Sequence, residues 1–227
     1  MNDTAIRAIS RQAEEYFWRA QFIRYLLTPN QNNHKLVDDL HAFYKAHTPS
    51  PFLSHPFISI HVRYGDKYKE NPPVPLSIYA IYYKKLAQQT EANKHITTQQ
   101  IQTETTLSLL HTKRPFSPSQ SHTNTTVPAI FLSTEKDSVL KTLPALLPTI
   151  PIHAFQYQRI NAKSPPTEAK SDLLPSLANL YVSVWADGFI GTLTSNWCRL
   201  IKDMELTRGD GGHDYMSVDG RHDRWFW

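Results

Sequence analysis

The sequence predicts an α/β fold: a Rossmann-like, mostly parallel sheet with flanking helices. Three observations carry this. Short apolar runs recur along the chain, at Phe57 to Val62, Ala129 to Ser133 and "GFIGT". Each is followed by a segment with helical apolar spacing, and strands that alternate with helices are brought back to one edge of a parallel sheet. A hydrophobic fraction of 40% over 227 residues is enough to build a proper core.

Residues 5–27 read as an amphipathic helix, with Ile9, Ala13, Phe17, Ala20, Ile23 and Leu27 on one face and Pro29 ending it. A second helix is expected from about Asn33 to His47, so that residues 1–50 form a helical segment packed on the domain beyond it. "TPSPFLSHP" is a Pro-punctuated loop into the strand Phe57 to Val62. "PLSIYAIYYKKLAQQ" is a helix with Pro75 near its first turn. Residues 88–127 are dominated by Thr, Gln, Ser and Asn, and predict a disordered polar insert that buries too little to offset its ordering entropy.

Order returns with the strand Ala129 to Ser133, a helix from about Asp137 and a strand in "IPIHAFQY". "SDLLPSLANLYVSVWAD" has helical spacing, "GFIGT" is a short buried strand, and "SNWCRLIKDME" is a helix opened by Ser195. The Gly-rich end of the chain predicts a loop or a short terminal strand. Its "GDGGHD" and "GRHD" fit no zinc pattern.

Composition narrows the function. A net charge of +4 suits an anionic ligand such as a nucleotide, but lacks the dense basic stripe of a nucleic-acid binder. Cys198 is the single cysteine, which excludes an intramolecular disulfide and predicts a small buried hydrophobe. No run of about 18 apolar residues is present to span a membrane. The polar N-terminus is not a signal peptide, so the chain itself names no compartment. No glycine-rich dinucleotide fingerprint or P-loop occurs.

The chemistry gathers at two strand ends, where open α/β sheets hold their ligands. In "FISIHVRYGDKYKE", His61 and Arg63 flank Val62 and therefore face the side opposite to it. Arg63 offers a planar fork of donors suited to a diphosphate, Lys67 adds a point charge, and Glu70 is a candidate base for an acceptor hydroxyl. In "GTLTSNWCR", Thr194, Ser195 and Asn196 stand at a strand-to-helix junction whose N–H groups favour an anion. A nucleotide diphosphate bridging the two ends would use both.

These segments resemble the GDP-fucose-binding catalytic region of the α-1,6-fucosyltransferase family, to which bacterial nodulation fucosyltransferases are related. The resemblance rests on "FWRAQFIRYLLTPN", "HPFISIHVRYGDK", "IFLSTEKDSVL" and "WADGFIGTLTSNWCRLIKDM", in that order. It implies that residues 51–227 are a GDP-sugar-binding domain like the nucleotide-binding domain of a GT-B-like glycosyltransferase. It further implies an inverting transfer of fucose from GDP-fucose to a glycan hydroxyl, with no metal or other cofactor. On that pattern Arg63 clamps the diphosphate and Lys67 lies near the leaving phosphate. His61 lines the nucleotide pocket, and Ser195 and Asn196 hold the phosphates from the other side. The partners implied are the nucleotide-sugar donor and a glycan acceptor, with no nucleic acid; the compartment implied for a full-length relative is the Golgi lumen.

The chain departs from the family pattern at several points. Tyr64 stands where the family carries a second arginine, and the catalytic glutamate aligns with Asn71, one position after Glu70. Asn179 replaces the carboxylate that reads guanine, and Glu135-Lys136 replaces Asp-Asp. Tyr64 and Asn179 favour the alternative reading, a non-catalytic nucleotide-sugar-binding module.

Overall fold

The computed structural model describes residues 34–48, 56–64, 72–100, 127–155, 166–205 and 214–219. Helix α1 (His34–His47) precedes strand β1 (Phe57–Val62) and helix α2 (Leu76–Gln100). Then come β2 (Ala129–Thr134), α3 (Asp137–Leu146) and β3 (Ile152–His153). The last elements are α4 (Pro166–Val184), β4 (Gly188–Gly191), α5 (Asn196–Glu205) and β5 (Asp214–Ser217). All pairings are parallel, in the order β3-β2-β1-β4-β5. The α/β class and the parallel sheet read from the sequence are therefore found.

Strand order decides where a ligand can sit. From β1 the chain steps outward through β2 to β3, then crosses back to β4 and steps outward the other way. The reversal places the topological switch point between β1 and β4, and the connections leaving those strands diverge above it.

Strict alternation distributes the core. Every residue of β1 and β2 is buried, as expected for strands covered on both faces. Ile58, Ile60 and Val62, with Ile130, Leu132 and Ile190, pack beneath Tyr79, Tyr83 and Leu86 of α2 and Val139 and Leu143 of α3. On the other face Phe57, Ala129 and Phe131 meet Leu40 and Tyr44 of α1 and Ala178 and Val182 of α4. Phe189 packs with Leu180, Val184, Cys198 and Ile201 from α4 and α5. Each such apolar side chain contributes ~1.5–3 kcal/mol by leaving water. One polar contact interrupts this second layer: Ser59 Oγ donates to Ser183 Oγ at 2.8 Å, both fully buried. Pairing removes the ~1–3 kcal/mol that either hydroxyl would cost if buried alone.

The element boundaries differ from the sequence reading in three places. The insert expected from residue 88 starts inside α2, which continues to Gln100. No Pro or Gly occurs between 76 and 100 to stop it. Leu86, Ala87 and Thr90 are buried, and Thr90 Oγ1 donates to the Leu86 carbonyl at 3.0 Å. A helix already nucleated by packing extends at little cost, so a polar composition did not end it. The strand expected in "IPIHAFQY" is only Ile152–His153. It leaves the ladder because Phe155 turns inward, edge-on to Phe131 at 5.1 Å and to Tyr44 at 6.2 Å. Helix α4 begins at Pro166 rather than Ser171, with proline in its favoured first position. The expected helix over 5–27, the rest of the insert over 101–126, and "GRHD" lie outside the described residues.

Two glycines let the helices approach β4. A Cβ on Gly191 would lie 2.6 Å from Cys198 Sγ and 2.7 Å from the Phe189 ring. One on Gly188 would meet Leu86 Cδ2 at 2.8 Å, the free end of a flexible side chain. Gly191→Ala is therefore expected to destabilise the fold by ~1–3 kcal/mol, and Gly188→Ala by less. Urea midpoints of the two variants check this; equal midpoints for Gly191→Ala and the parent would mean that α5 simply yields.

Candidate functional site

Three strand ends meet at the carboxyl edge of the sheet. Arg63 comes directly after β1, the Thr192–Ser195 turn after β4, and Asp219 lies two residues past β5. Strand alternation sends Val62 beneath α2 and α3, and His61 and Arg63 to the opposite face, towards α5. Arg63 then spans the switch point: its Nη1 donates to Ser195 Oγ at 3.5 Å. The two loaded strand ends picked out in the sequence are thus neighbours in space. β1 and β4 pair directly, Ile58 with Gly188 and Ile60 with Ile190.

The turn after β4 is built around Asp219. Val218 N donates to the Gly191 carbonyl at 3.0 Å, which carries the β4–β5 pairing past the end of the strands. That delivers the Asp219 carboxylate beneath the turn. Its Oδ2 accepts from Thr194 N at 3.0 Å and its Oδ1 accepts from Ser217 Oγ. The Leu193 backbone and the Thr194 hydroxyl add further hydrogen bonds. Burial alone raises the pKa of this carboxyl, but the donors outweigh it and hold the group below its ordinary range. Ser195 N closes the turn on the Thr192 carbonyl at 3.0 Å, and Arg199 N reaches the Ser195 carbonyl at 3.1 Å as α5 begins.

Beneath Arg63 lies a neutral pair. His61 Nδ1 and Cys198 Sγ are 3.1 Å apart, and both residues are buried. Burial, with the Arg63 charge beside it, lowers the His61 pKa from 6.5 to about 3. Burial raises the Cys198 thiol to about 11, despite hydrogen bonds with Thr192 and Ser195. Neither group carries charge near neutrality, so the pair is not a thiolate–imidazolium nucleophile. The sequence reading of Cys198 as a buried hydrophobe without a local His partner meets a partner 137 positions away.

The remaining site residues named from the sequence differ widely in placement. Ser195 is 1% exposed and lies under the Arg63 guanidinium, whereas Thr194 is half-buried and Asn196 is exposed at the rim. Asn196 Oδ1 accepts from Arg199 Nη2. Asn179 is fully buried in α4, its Nδ2 donating to the Pro175 carbonyl at 2.9 Å and its Oδ1 without a partner. It lies one helical turn before Ser183, whose hydroxyl meets β1, so Asn179 sits above the sheet nearer its carboxyl edge. Lys67 and Glu70 lie outside the described residues. Tyr64, placed where a second arginine was expected, donates its hydroxyl to the Val74 carbonyl at 2.6 Å and supplies no cation. Asp219 was not named from the sequence. Its only local signal is the Ser-x-Asp spacing of "SVD".

The arrangement is that of a Rossmann-like, doubly wound α/β protein whose cationic strand end and helix start face each other at the switch point. Among solved structures, the chain is similar to the crystal structure of POFUT1 in complex with GDP-fucose, with a TM-score of 0.42 and 12% identity. That match covers 81% of this chain and 45% of the other, so the chain spans under half of that protein's length. No protein-family model matches the chain. No curated protein matches it. Among the described residues, no helix is long and apolar enough to cross a membrane.

Proposed function

We propose that the chain is a nucleotide-sugar-dependent glycosyltransferase that moves fucose from GDP-fucose to a glycan hydroxyl. The observation that carries the reading is the Arg63–Ser195 contact across the β1/β4 switch point. It puts a forked cation and a helix start on opposite sides of one crevice, the two groups a diphosphate needs.

In the reaction the bond between the sugar's anomeric carbon and the diphosphate oxygen breaks as the acceptor oxygen attacks from the opposite face. GDP leaves with the bonding electron pair, and the acceptor's proton passes to a base. Arg63 stabilises the charge that grows on the departing diphosphate, and Lys67 assists it. Asn196 and the first N–H groups of α5 meet the phosphates from the α5 side, with Thr194 held beneath them by Asp219, while Ser195 holds the Arg63 guanidinium in place. Glu70 is the base. His61 supports the strand end beneath the nucleotide, and Asn179, with its free buried acceptor, faces the base end. The cation is supplied by side chains, so no metal takes part.

The test is binding and then turnover. GDP and GDP-fucose are expected to raise the melting temperature of the purified chain equally with and without EDTA, and GDP is expected to be released when a glycan acceptor is added. Loss of the shift in EDTA would remove the metal-independent mechanism; no shift at all in a folded sample would remove the reading. A second reading, a nucleotide-sugar-binding module without transfer, is favoured by Tyr64, which is engaged with Val74 where a second cation was expected. Binding without GDP release selects it.

A further inference from the structure

Asp219 is a negative charge placed against the turn that is meant to receive an anion, which calls for a reason. It does not face outward as a ligand group. Its Oδ2 takes the Thr194 N–H, its Oδ1 takes the Ser217 hydroxyl, and Leu193 and the Thr194 hydroxyl complete the set. The chain reaches this position only because Val218 extends the β4–β5 ladder by one bond. Four donors from two segments converge on one carboxylate, and they fix the backbone from Leu193 to Thr194 immediately before Ser195. Ser195 is in turn the group that Arg63 meets. Asp219 therefore braces the backbone that leads into Ser195 and the start of α5.

We infer that Asp219 is the positioning residue of the diphosphate-binding turn, acting through Thr194 and Ser195 and not by touching the ligand; this rests on the reading of the crevice as a nucleoside diphosphate site. One consequence concerns which groups are left for the ligand. The Thr194 N–H is taken by Asp219 and the Ser195 N–H by the Thr192 carbonyl, so neither can bind phosphate. The anion must be held by Arg63, by the side chain of Asn196, and by N–H groups further into the first turn of α5. A second consequence is chemical. The contact to Thr194 N requires an acceptor but no charge, so an amide should serve: its oxygen takes the Thr194 N–H while its NH2 donates to the Ser217 hydroxyl, which can turn to accept.

The experiment compares GDP and GMP affinities by calorimetry for the parent, Asp219→Ala and Asp219→Asn, with melting temperatures alongside. The parent is expected to prefer GDP. Asp219→Ala is expected to weaken GDP by about tenfold while changing GMP much less, and Asp219→Asn is expected to restore most of the loss. Equal losses for GDP and GMP would make Asp219 a scaffold residue only and overturn the inference, as would an unchanged GDP affinity. Should Asp219→Ala fail to fold, Ser217→Ala decides: a smaller GDP preference supports the inference and an unchanged one overturns it. If the folded parent itself does not bind GDP, the diphosphate reading fails, and the inference falls with it.

Discussion

Arg63→Ala is expected to weaken GDP binding by about 100-fold, equivalent to about 2.7 kcal/mol. A forked guanidinium bonded to an anion in a partly buried crevice supplies charge and geometry together. Arg63→Lys keeps the charge and loses the fork, so about tenfold of the loss should remain. The folded state should tolerate both changes, because Arg63 stands half-buried just past the end of β1. Calorimetric titration with GDP checks the series. An unchanged affinity for folded Arg63→Ala would move the diphosphate out of this crevice altogether.

The second large effect is acid sensitivity. His61 holds a pKa of about 3 in the folded chain against 6.5 for the ordinary imidazole. Between these values the unfolded chain binds a proton that the folded chain refuses. The contribution of His61 to stability is therefore complete above pH 6.5 and is lost progressively as pH falls towards 3. By pH 5 the loss is about 2 kcal/mol, since each unit between the two pKa values is worth about 1.4 kcal/mol. His61→Gln keeps a polar partner for Cys198 but cannot titrate. It should be less stable than the parent at pH 7.5, with the gap closing by pH 5 in urea unfolding. Parallel pH dependences in the two proteins would show that His61 is not the residue resisting protonation. The same burial keeps the imidazole neutral wherever the fold is intact, so GDP affinity should carry no inflection from His61 between about pH 5.5 and 8 on the order expected for an exposed histidine.

Much of the architecture was legible because period and punctuation are local properties. Phe57 to Val62 reads as a strand from its composition, and its charged end reads as a ligand site from the rule for open sheets. The alternation that puts His61 and Arg63 on one face needs no knowledge of the neighbours. The hidden part depends on which strands pair. Thr194 and Asp219 are 25 positions apart and His61 and Cys198 are 137 apart. Nothing in "SVDG" tells that β5 runs beside β4, so Asp219 looked like an ordinary loop residue. The length of α2 was hidden for a different reason. Thr-rich and Gln-rich composition argues against burial, but a helix anchored by Tyr79, Tyr83 and Leu86 is held at one end whatever the composition of its later turns. Ser195 reads as a helix cap, and nothing in its neighbours tells that it lies beneath a guanidinium.

β1 is paired along both edges and covered on both faces. Its amides are expected to exchange with solvent only when the sheet comes apart, which makes it a slow-opening element among the described residues. Arg63 is rooted in the very next residue. A ligand arriving at that side chain finds its backbone already immobilised, and the free energy of the contact is not spent on ordering the chain that makes it.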